Sequence, residues 1–139
     1  VEPDLSLCEG RSVVDLSPRE VGTYGERVAA RYLAGIGLRI VDRNWRNPYG
    51  EVDIVAQDEY GLCVLVEVKT RRVPDGSLDL VPEMAVGKVK QARYKRMGLY
   101  YLAMSQWADS VRFDVVAVNV DPHAKCSVRH LVGAFAWEL

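Results

Sequence analysis

Residues 50–72 read GEVDIVAQDEYGLCVLVEVKTRR, in which acidic and basic residues recur at a spacing of two around apolar positions. Side chains two positions apart in a β-strand lie on the same face, so this spacing predicts two strands. Between them, Asp58-Glu-Tyr-Gly-Leu62 predicts a three-residue hairpin loop, formed by a type I turn and then Gly61 in the left-handed bulge position. Such a loop determines how the two strands pair, with Asp58 opposite Leu62.

Counting outward from this loop places four charged residues on one face of the hairpin. Asp53 lies opposite Glu67, and Glu51 lies opposite Lys69, where it would support the lysine by pairing across the hairpin; cross-strand Cβ atoms are about 5 Å apart. Like charges that face each other destabilise a sheet, so a cation is expected between Asp53 and Glu67. Mg²⁺ or Mn²⁺ takes one or two carboxylates and keeps waters for a phosphate substrate. Lys69 could then orient or deprotonate an attacking water, or stabilise charge on a phosphorane.

The alternative is that these four residues form the solvated face of an antiparallel hairpin. A solvated face would stay polar along the strand, yet Val55, Cys63 and Leu65 have the same parity and are apolar. The charges therefore cluster at one end of a mostly buried surface, where unpaired charges are costly. This pattern favours a functional site.

Several short motifs surround the hairpin in a characteristic order and spacing. They are Gly25-Glu26 on a first helix, Asn44-Trp45-Arg46, Tyr49-Gly-Glu-Val-Asp-Ile-Val55, Val66-Glu-Val-Lys-Thr-Arg71 and Val111-Arg-Phe-Asp-Val-Val116. Over residues 21–135 the chain thereby resembles the YraN-like uncharacterised family, which belongs to the restriction-endonuclease-like, PD-(D/E)XK superfamily of nucleases. Val52 replaces the proline that usually precedes the first acidic residue. Gln91-Ala-Arg-Tyr94 is one residue shorter than the Q-x-x-x-Y element of RecB-like nucleases, so no role is carried over from it.

The resemblance implies a role for each residue of the motifs around the hairpin. Asp53 and Glu67 would be the acidic ligands of Mg²⁺ or Mn²⁺, joined by the carbonyl oxygen of Val68. Glu26 would hold a second ion or a water on the metal. Lys69 would serve the attacking water and the scissile phosphate.

Composition indicates one folded domain. A chain of 139 residues that is 49% hydrophobic and 27% charged can bury a real core. It contains no apolar run of about 18 residues and no leader-type apolar segment near its start, so we expect no membrane contact and a cytoplasmic location. The three cysteines, Cys8, Cys63 and Cys126, have no spacing typical of zinc sites or disulfides.

The distribution of charge is compatible with binding to nucleic acid. The net charge is −1, yet the residues after position 20 carry 16 bases against 14 acids. Clustered bases without intervening acids are typical phosphate contacts. An ordinary solvated helix face is the alternative for residues 88–96. The candidate phosphate contacts are Arg46, Arg71, Arg72, Lys88, Lys90, Arg93 and Lys95.

Capping and periodicity signals predict an α/β domain of order αβββαβ with an additional short strand, in which helices flank a central mixed sheet. Residues 1–16 would be a flexible tail, and residues 17–139 a single nuclease-like domain. The capping box Ser17-Pro-Arg-Glu20 predicts the start of a first helix that runs to Gly35 or Gly37. The other predicted elements are strands at 38–43, 111–120 and 129–132, a turn at 47–50, and a basic helix from residue 83 or 86 to 104.

Some polar residues outside the hairpin have mainly structural interpretations. Asp114 interrupts an apolar strand and is expected to hydrogen-bond Arg112 or nearby backbone, with support of the metal ligands as the alternative. His123 and His130 are interpreted as structural or exposed. Trp45 is a candidate to stack on an unpaired base, and membership of the core is its alternative.

Three functions are compatible with these observations. The first is a metal-dependent, endonuclease-like hydrolase of phosphodiester bonds in DNA. It would recognise shape or backbone, as in branched or single-stranded DNA, because no base-reading module is visible. The second is a non-catalytic nucleic-acid-binding domain of the same fold, although a binder of polyanions gains nothing from buried carboxylates. The third is a protein-interaction adaptor whose basic helix meets an acidic partner. A homodimer is compatible with all three.

Overall fold

The computed structural model describes residues 13–136, which form one short 3₁₀ helix, two α-helices and five strands. The 3₁₀ helix spans Val13–Asp15 and precedes all other elements. These elements are α1 (Pro18–Gly35), β1 (Arg39–Asn47), β2 (Gly50–Gln57), β3 (Leu62–Arg72), α2 (Lys88–Met104), β4 (Ser110–Val120) and β5 (Cys126–Leu131).

The five strands form one mixed sheet in the order β1-β2-β3-β4-β5. β1, β2 and β3 pair antiparallel, β3 and β4 pair parallel, and β5 returns antiparallel to β4. A parallel pair needs a crossover connection, and α2 provides it. The structure thus confirms the α/β class and the αβββαβ order with an additional strand.

Each face of the sheet packs on its own hydrophobic cluster. Alternate residues of β3 point to opposite faces, so Val64 and Val66 join the α1 cluster while Cys63 and Leu65 join the α2 cluster. The α1 cluster also contains Val21, Tyr24, Val28, Leu33, Ile54 and Val116, and the α2 cluster contains Val52, Val55, Tyr94, Met97 and Phe113.

Helix α1 begins at the predicted capping box. The Ser17 side chain accepts a hydrogen bond from the Glu20 N–H at 3.1 Å, and Glu20 in turn accepts one from the Ser17 N–H at 3.0 Å. The helix ends at Gly35, within the predicted range. Neither α1 nor α2, the α-helices of the part that the structure describes, has the length and apolar character needed to cross a bilayer.

Several boundaries differ from the predicted ones because long-range pairing extends or delays an element. β1 continues to Asn47, four residues beyond the predicted end, because residues 45–47 pair with β2. β5 starts at Cys126 because it pairs with β4 along its whole length. α2 starts only at Lys88, after Gly87 in an extended conformation.

The predicted tail of residues 1–16 is partly folded. Residues 1–12, including Cys8, lie outside the described residues. Val13 and Leu16 are each only 3% exposed and belong to the α1 cluster. The guanidinium of Arg72 donates a hydrogen bond to the carbonyl oxygen of Leu16. The ordered domain therefore includes residues 13–16, and the prediction was wrong there because a single 3₁₀ turn is too short to show a period.

Asp114 is the centre of a buried polar network, as expected from its partner Arg112. Its fully buried carboxylate accepts two hydrogen bonds from Arg112 at 2.8 Å, one from the Gly133 N–H at 3.0 Å, and lies 2.7 Å from Nε2 of His130. Burial acts to raise the pKa of Asp114, but these hydrogen bonds outweigh it and lower the pKa. Nδ1 of His130 lies 3.1 Å from the Tyr32 hydroxyl of α1. Asp114 and His130 are thus structural.

Gly25 allows α1 to lie directly against β3. A Cβ atom at this position would stand 1.7 Å from Oγ1 and 2.7 Å from Cβ of Thr70, distances that no real contact shows. At Gly22, one turn earlier on the same helix, such a Cβ would meet no heavy atom within 4 Å. The close approach at residue 25 places the next residue, Glu26, beside the sheet.

We expect Gly25→Ala to lower the free energy of unfolding by about 1–3 kcal/mol through overpacking against Thr70, in spite of the better helix propensity of alanine. Gly22→Ala is the matched control and should raise the free energy of unfolding by up to about 1 kcal/mol. Urea denaturation of the two variants measures both effects. Equal stabilisation by both substitutions would show that Thr70 does not constrain α1.

Candidate functional site

The two central acidic residues lie where β2 and β3 separate. Backbone pairing of these strands ends at Ile54 opposite Val66, which is the predicted register. The next residue along each strand is an acid, Asp53 on β2 and Glu67 on β3. Oδ2 of Asp53 accepts a hydrogen bond from the N–H of Val68 at 2.7 Å. Beyond the last backbone pair, the side chain of Asp53 therefore replaces a main-chain oxygen as hydrogen-bond acceptor. We call this point, where β2 and β3 separate at Asp53 and Glu67, the acidic fork.

The turn that determines this register has the predicted form. Gly61 adopts a positive φ of 87°. Oδ1 of Asp58 accepts hydrogen bonds from the N–H groups of Tyr60 and Leu62, at 2.8 and 2.9 Å. The Asp58 N–H in turn donates to the Leu62 carbonyl at 3.1 Å. The local chemistry of the turn therefore determines how β2 and β3 pair as far as Ile54 and Val66, the residues next to the two acids.

Glu67 has one satisfied and one unsatisfied carboxylate oxygen. Its side chain is 12% exposed, and Oε1 is paired with the ammonium of Lys90 from α2. Oε2 is buried and has no hydrogen-bond partner among the described residues. The expected cation beside the acid pair is thus partly supplied by Lys90, which we had predicted only as a phosphate contact.

The acids at the fork influence one another electrostatically. Burial raises the pKa of Asp53, the hydrogen bond from Val68 opposes this effect, and the nearby charge of Glu67 raises the pKa further. Burial also raises the pKa of Glu26, followed by the charge of Asp53, while a hydrogen bond from the Asn44 side chain lowers it. Glu26 on α1 therefore belongs to the same charged neighbourhood as Asp53.

Lys69 and Glu51 do not pair with each other, contrary to the prediction. Nζ of Lys69 donates to the carbonyl oxygen of Ala85 at 3.1 Å. Glu51 instead lies 3.4 Å from Nε of Arg46, its cross-strand partner on β1. The predicted pair assumed that the hairpin register continues, whereas pairing of β2 with β3 stops at Ile54.

The predicted phosphate contacts fall into two groups. Arg93 packs against the start of β2, with Cδ 3.2 Å from the position of a Cβ on Gly50. Arg71, by contrast, donates from Nε to Oδ1 of Asn119 at 2.9 Å, and Arg72 holds the N-terminal segment. Some of these basic residues therefore lie near the acids, whereas Arg71 and Arg72 form hydrogen bonds within the fold. Near the fork are Arg46, Lys90 and Arg93; Lys88 is exposed and Lys95 is half-buried on α2.

Two further residues reach this region without having been assigned a role. Asn44 adopts a positive φ of 52°, a conformation in which asparagine is enriched, and its amide meets Glu26. Tyr94 is buried in the α2 cluster, where burial and then the charges of Glu67 and Asp53 raise the pKa of its hydroxyl. Nothing in the local sequence predicted its position beside the acids.

The donors at the fork fit a hard divalent cation. Within residues 13–136, no group of three or more His, Cys, Asp or Glu side chains is arranged to hold a metal ion. The fork nevertheless offers oxygen donors alone, which suit Mg²⁺ or Mn²⁺. The buried Oε2 of Glu67 is an acceptor without a donor, and a cation would satisfy it. A cavity of about 340 Å³ opens beside these residues, lined by Arg19, Gly22, Thr23, Glu26, Asn44, Arg46 and Glu51.

Comparison with known proteins relates the chain to one family. The model of the uncharacterised protein family UPF0102 matches residues 25–118. A UPF0102 protein from Thermodesulfovibrio yellowstonii is 39% identical over 116 residues, which cover 84% of this chain and 96% of the relative. A UPF0102 protein from Beutenbergia cavernae is 47% identical over 115 residues, which cover 81% of this chain and 93% of the relative.

Two solved structures are similar at 18% sequence identity. One is a repair endonuclease from Pyrococcus abyssi, with a TM-score of 0.40; the match covers 79% of this chain and 42% of that one. The other is the SPO1766 protein of unknown function from Silicibacter pomeroyi, with a TM-score of 0.36 and coverage of 84% and 73%.

We expect Asp53→Asn to raise the free energy of unfolding at neutral pH when divalent ions are removed by a chelator. A raised pKa means that ionisation of Asp53 opposes folding, so the associated stability is present below its usual pKa of 3.8 and is lost as pH rises through the raised value. Asparagine cannot ionise and keeps an oxygen for the Val68 N–H. The gain should therefore shrink as the pH approaches 3.8.

Urea denaturation over a range of pH measures this difference. The matched control is Glu59→Gln, which removes an exposed carboxylate on the β2–β3 loop and should change stability little. An Asp53→Asn variant that is less stable than the wild type at neutral pH would contradict the expectation.

Proposed function

We propose that this chain, which belongs to the uncharacterised protein family UPF0102, is a metal-dependent nuclease-like hydrolase of phosphodiester bonds in DNA. One observation carries the proposal: Oε2 of Glu67 is buried without a partner among the described residues, next to a second carboxylate, Asp53. Lys90 pairs with Oε1 of Glu67, but the buried Oε2 without a donor and the nearby like charge of Asp53 both oppose folding. A cation bound between Asp53 and Glu67 would compensate both of these unfavourable effects.

The ligands of the ion would come from both sides of the fork. Asp53 and Glu67 would bind it with the carbonyl oxygen of Val68, and Glu26 on α1 would hold a second ion or a water on the metal. Mg²⁺ is usually held by one or two carboxylates and keeps several waters. Such a site needs no cluster of three or more acidic, histidine or cysteine side chains, and residues 13–136 contain none. When bound, Mg²⁺ or Mn²⁺ would polarise the phosphate and lower the pKa of water.

The two lysines at the fork would act on substrate. Lys69 stands two positions after Glu67 on β3 and thus on the same face, where its ammonium can orient the attacking water or stabilise the negative charge that develops on the phosphate. Lys90 neutralises Glu67 in the structure. Once Glu67 binds a metal ion, the Lys90 ammonium is available to a substrate phosphate.

Exposed basic residues along α2 support nucleic acid as the substrate. Lys88 and Arg93 are exposed, and α2 contains no acidic residue along its whole length. None of these residues belongs to a base-reading module, so recognition of backbone and shape is expected. A DNA substrate is consistent with a cytoplasmic location, and a homodimer remains a prediction.

A non-catalytic nucleic-acid-binding domain is the second candidate, and the Lys90–Glu67 ion pair is the observation that favours it. The pair neutralises one acid with a side chain of the protein itself. On this account the fork would be structural, and binding to DNA would need no divalent ion. The two candidates differ in whether Asp53 is required for metal affinity.

Isothermal titration of Mn²⁺ into the wild type, with DNA absent, should show saturable binding. Asp53→Ala should weaken that binding by at least about 10- to 100-fold, because it removes a direct ligand. Glu59→Ala, which removes a carboxylate far along the hairpin loop, should leave it unchanged. Equal binding by wild type and Asp53→Ala would favour the non-catalytic domain.

Lys69→Ala should lower the rate of Mg²⁺-dependent cleavage by about 10²- to 10⁴-fold, the usual range for a residue that assists proton transfer or charge stabilisation. Branched and single-stranded DNA are the substrates to use in a gel-based cleavage assay. Lys125→Ala removes an exposed lysine just before β5 that has no assigned role in the site; it is the matched lysine control and should retain most of the rate. Full activity of Lys69→Ala, with an unchanged melting temperature, would remove this lysine from the mechanism.

A further inference from the structure

An open cavity of about 440 Å³ lies between β1 and the C-terminal end of α2. Aromatic rings make up much of its wall, and an amide and a hydroxyl complete it. The volume is in the range of small-ligand sites. The lining residues are Trp45, Tyr100, Tyr101, Met104, Ser105, Gln106 and Trp107.

The aromatic rings of this cavity hold one another in place. Trp45 packs edge-to-face on Tyr101, with ring centroids 5.1 Å apart, and Tyr101 packs in the same manner on Trp107 at 5.8 Å. Tyr100 lies nearly parallel to Trp45, with centroids 6.2 Å apart and an angle of 26°. Ser105 accepts hydrogen bonds from the N–H groups that follow it, including that of Trp107 at 3.2 Å. The rings therefore form a platform whose orientation is set before a ligand arrives.

These aromatic rings pack against the hydrophobic core on one side and are exposed to solvent on the other. Trp45, Tyr101 and Trp107 pack against the α2 cluster but remain partly exposed, and so does Tyr100. Met104 at the rim is 67% exposed. Planar apolar surface that stays open to water is well suited to a planar aromatic ligand, because stacking would remove it from water.

Helix α2 connects this cavity to the acidic fork. Lys90 contacts Glu67 near the start of the helix, and Tyr100 follows ten residues later, which corresponds to about 15 Å along the axis. That distance matches roughly three to five nucleotides of one strand at duplex spacing. Exposed Arg93 and Arg96 lie between the two ends.

The charge around the cavity selects the ligand. α2, which forms one wall of the cavity, has basic residues along its length and no acidic ones. A positive track that leads to an aromatic platform is complementary to a polyanion with flat apolar bases, which is the arrangement found where proteins bind single strands. A base within an intact duplex has both faces covered by its neighbours and cannot use the platform.

We propose that this cavity binds an unpaired nucleobase of a single strand whose phosphates follow α2 toward the acidic fork. The direction of the strand rests on the proposed function, whereas binding of the base needs neither a metal ion nor cleavage. Because every base has an aromatic face, the cavity would accept bases with little sequence preference. The substrate class would then be DNA with a single-stranded segment, such as a flap or an overhang.

Fluorescence anisotropy at low salt, with a chelator present, tests the proposal. The probes are a labelled oligothymidylate of roughly 12 nucleotides, within the usual site sizes, a strand of equal length with abasic sites, and a duplex. Tyr100→Ala and Trp45→Leu should each weaken binding of oligothymidylate by about 5- to 100-fold, the range expected for loss of one stacking contact. Binding of the abasic strand, which carries the same phosphates, should not change.

Two controls separate stacking from damage to the fold. Tyr60→Ala removes a ring that is 81% exposed on the β2–β3 loop, outside the cavity, and should bind all three probes like the wild type. Trp45→Phe keeps a ring at the platform and should retain most of the affinity. Thermal melting shows whether each variant is folded. If Trp45→Leu does not fold, the affinity of Tyr100→Ala for oligothymidylate tests the stacking contact alone.

Each outcome bears on the cavity separately from catalysis. Unchanged affinity for oligothymidylate in Tyr100→Ala, or equal weakening for the strands with and without bases, would overturn the base site. A wild type that cleaves DNA with Mg²⁺ but binds both strands equally would overturn the base site and leave the hydrolase intact. Base-dependent binding without metal affinity or cleavage would support the cavity and overturn the hydrolase.

Discussion

The end of backbone pairing between β2 and β3 is the constraint on which the site depends. At Ile54 and Val66 the ladder stops, and the carboxylate of Asp53 takes the next backbone donor, the N–H of Val68. The strands thereby hold Asp53 and Glu67 at a fork instead of a continuous sheet. The two carboxylates repel each other, and the Lys90 ammonium and the Val68 N–H act against this repulsion.

The two helices bring different components to this fork. α1 approaches the sheet closely because residue 25 has no side chain, and this contact places Glu26 near Asp53. α2 crosses the other face, where it pairs Lys90 with Glu67 and carries the aromatic cavity at its far end. The two layers therefore supply different groups to the fork: α1 brings a further acid, and α2 brings a base that neutralises one of the two acids.

Local chemistry made the core of the site predictable from sequence. The Asp58 side chain and the positive φ of Gly61 determine the hairpin register, which is why the pairing of β2 with β3 as far as Ile54 and Val66 could be derived from a five-residue turn. The capping box at Ser17 predicted the start of α1 for the same reason. In each case the residues that decide the structure are neighbours in the chain.

Features that depend on distant contacts were not predictable in the same way. The partner of Glu51 depends on where the ladder ends, and the position of Lys90 depends on how α2 crosses the sheet. Burial of Val13 depends on a surface built by later elements. A turn or a helix cap can be predicted from a few neighbouring residues, whereas the point at which two strands stop pairing depends on the twist of the whole sheet.

The parallel pairing of β3 with β4 has a consequence for synthesis of the chain. Every pair in this ladder joins residues 48 positions apart, as with Leu62 and Ser110. The strand that carries Glu67 and Lys69 therefore lacks one neighbour until residues 110–120 have also left the ribosome, which takes seconds at about 5–20 residues per second. Until then its edge is open and the acids have no rigid support. Nascent chains that end before β4 would consequently be unable to hold the fork in shape.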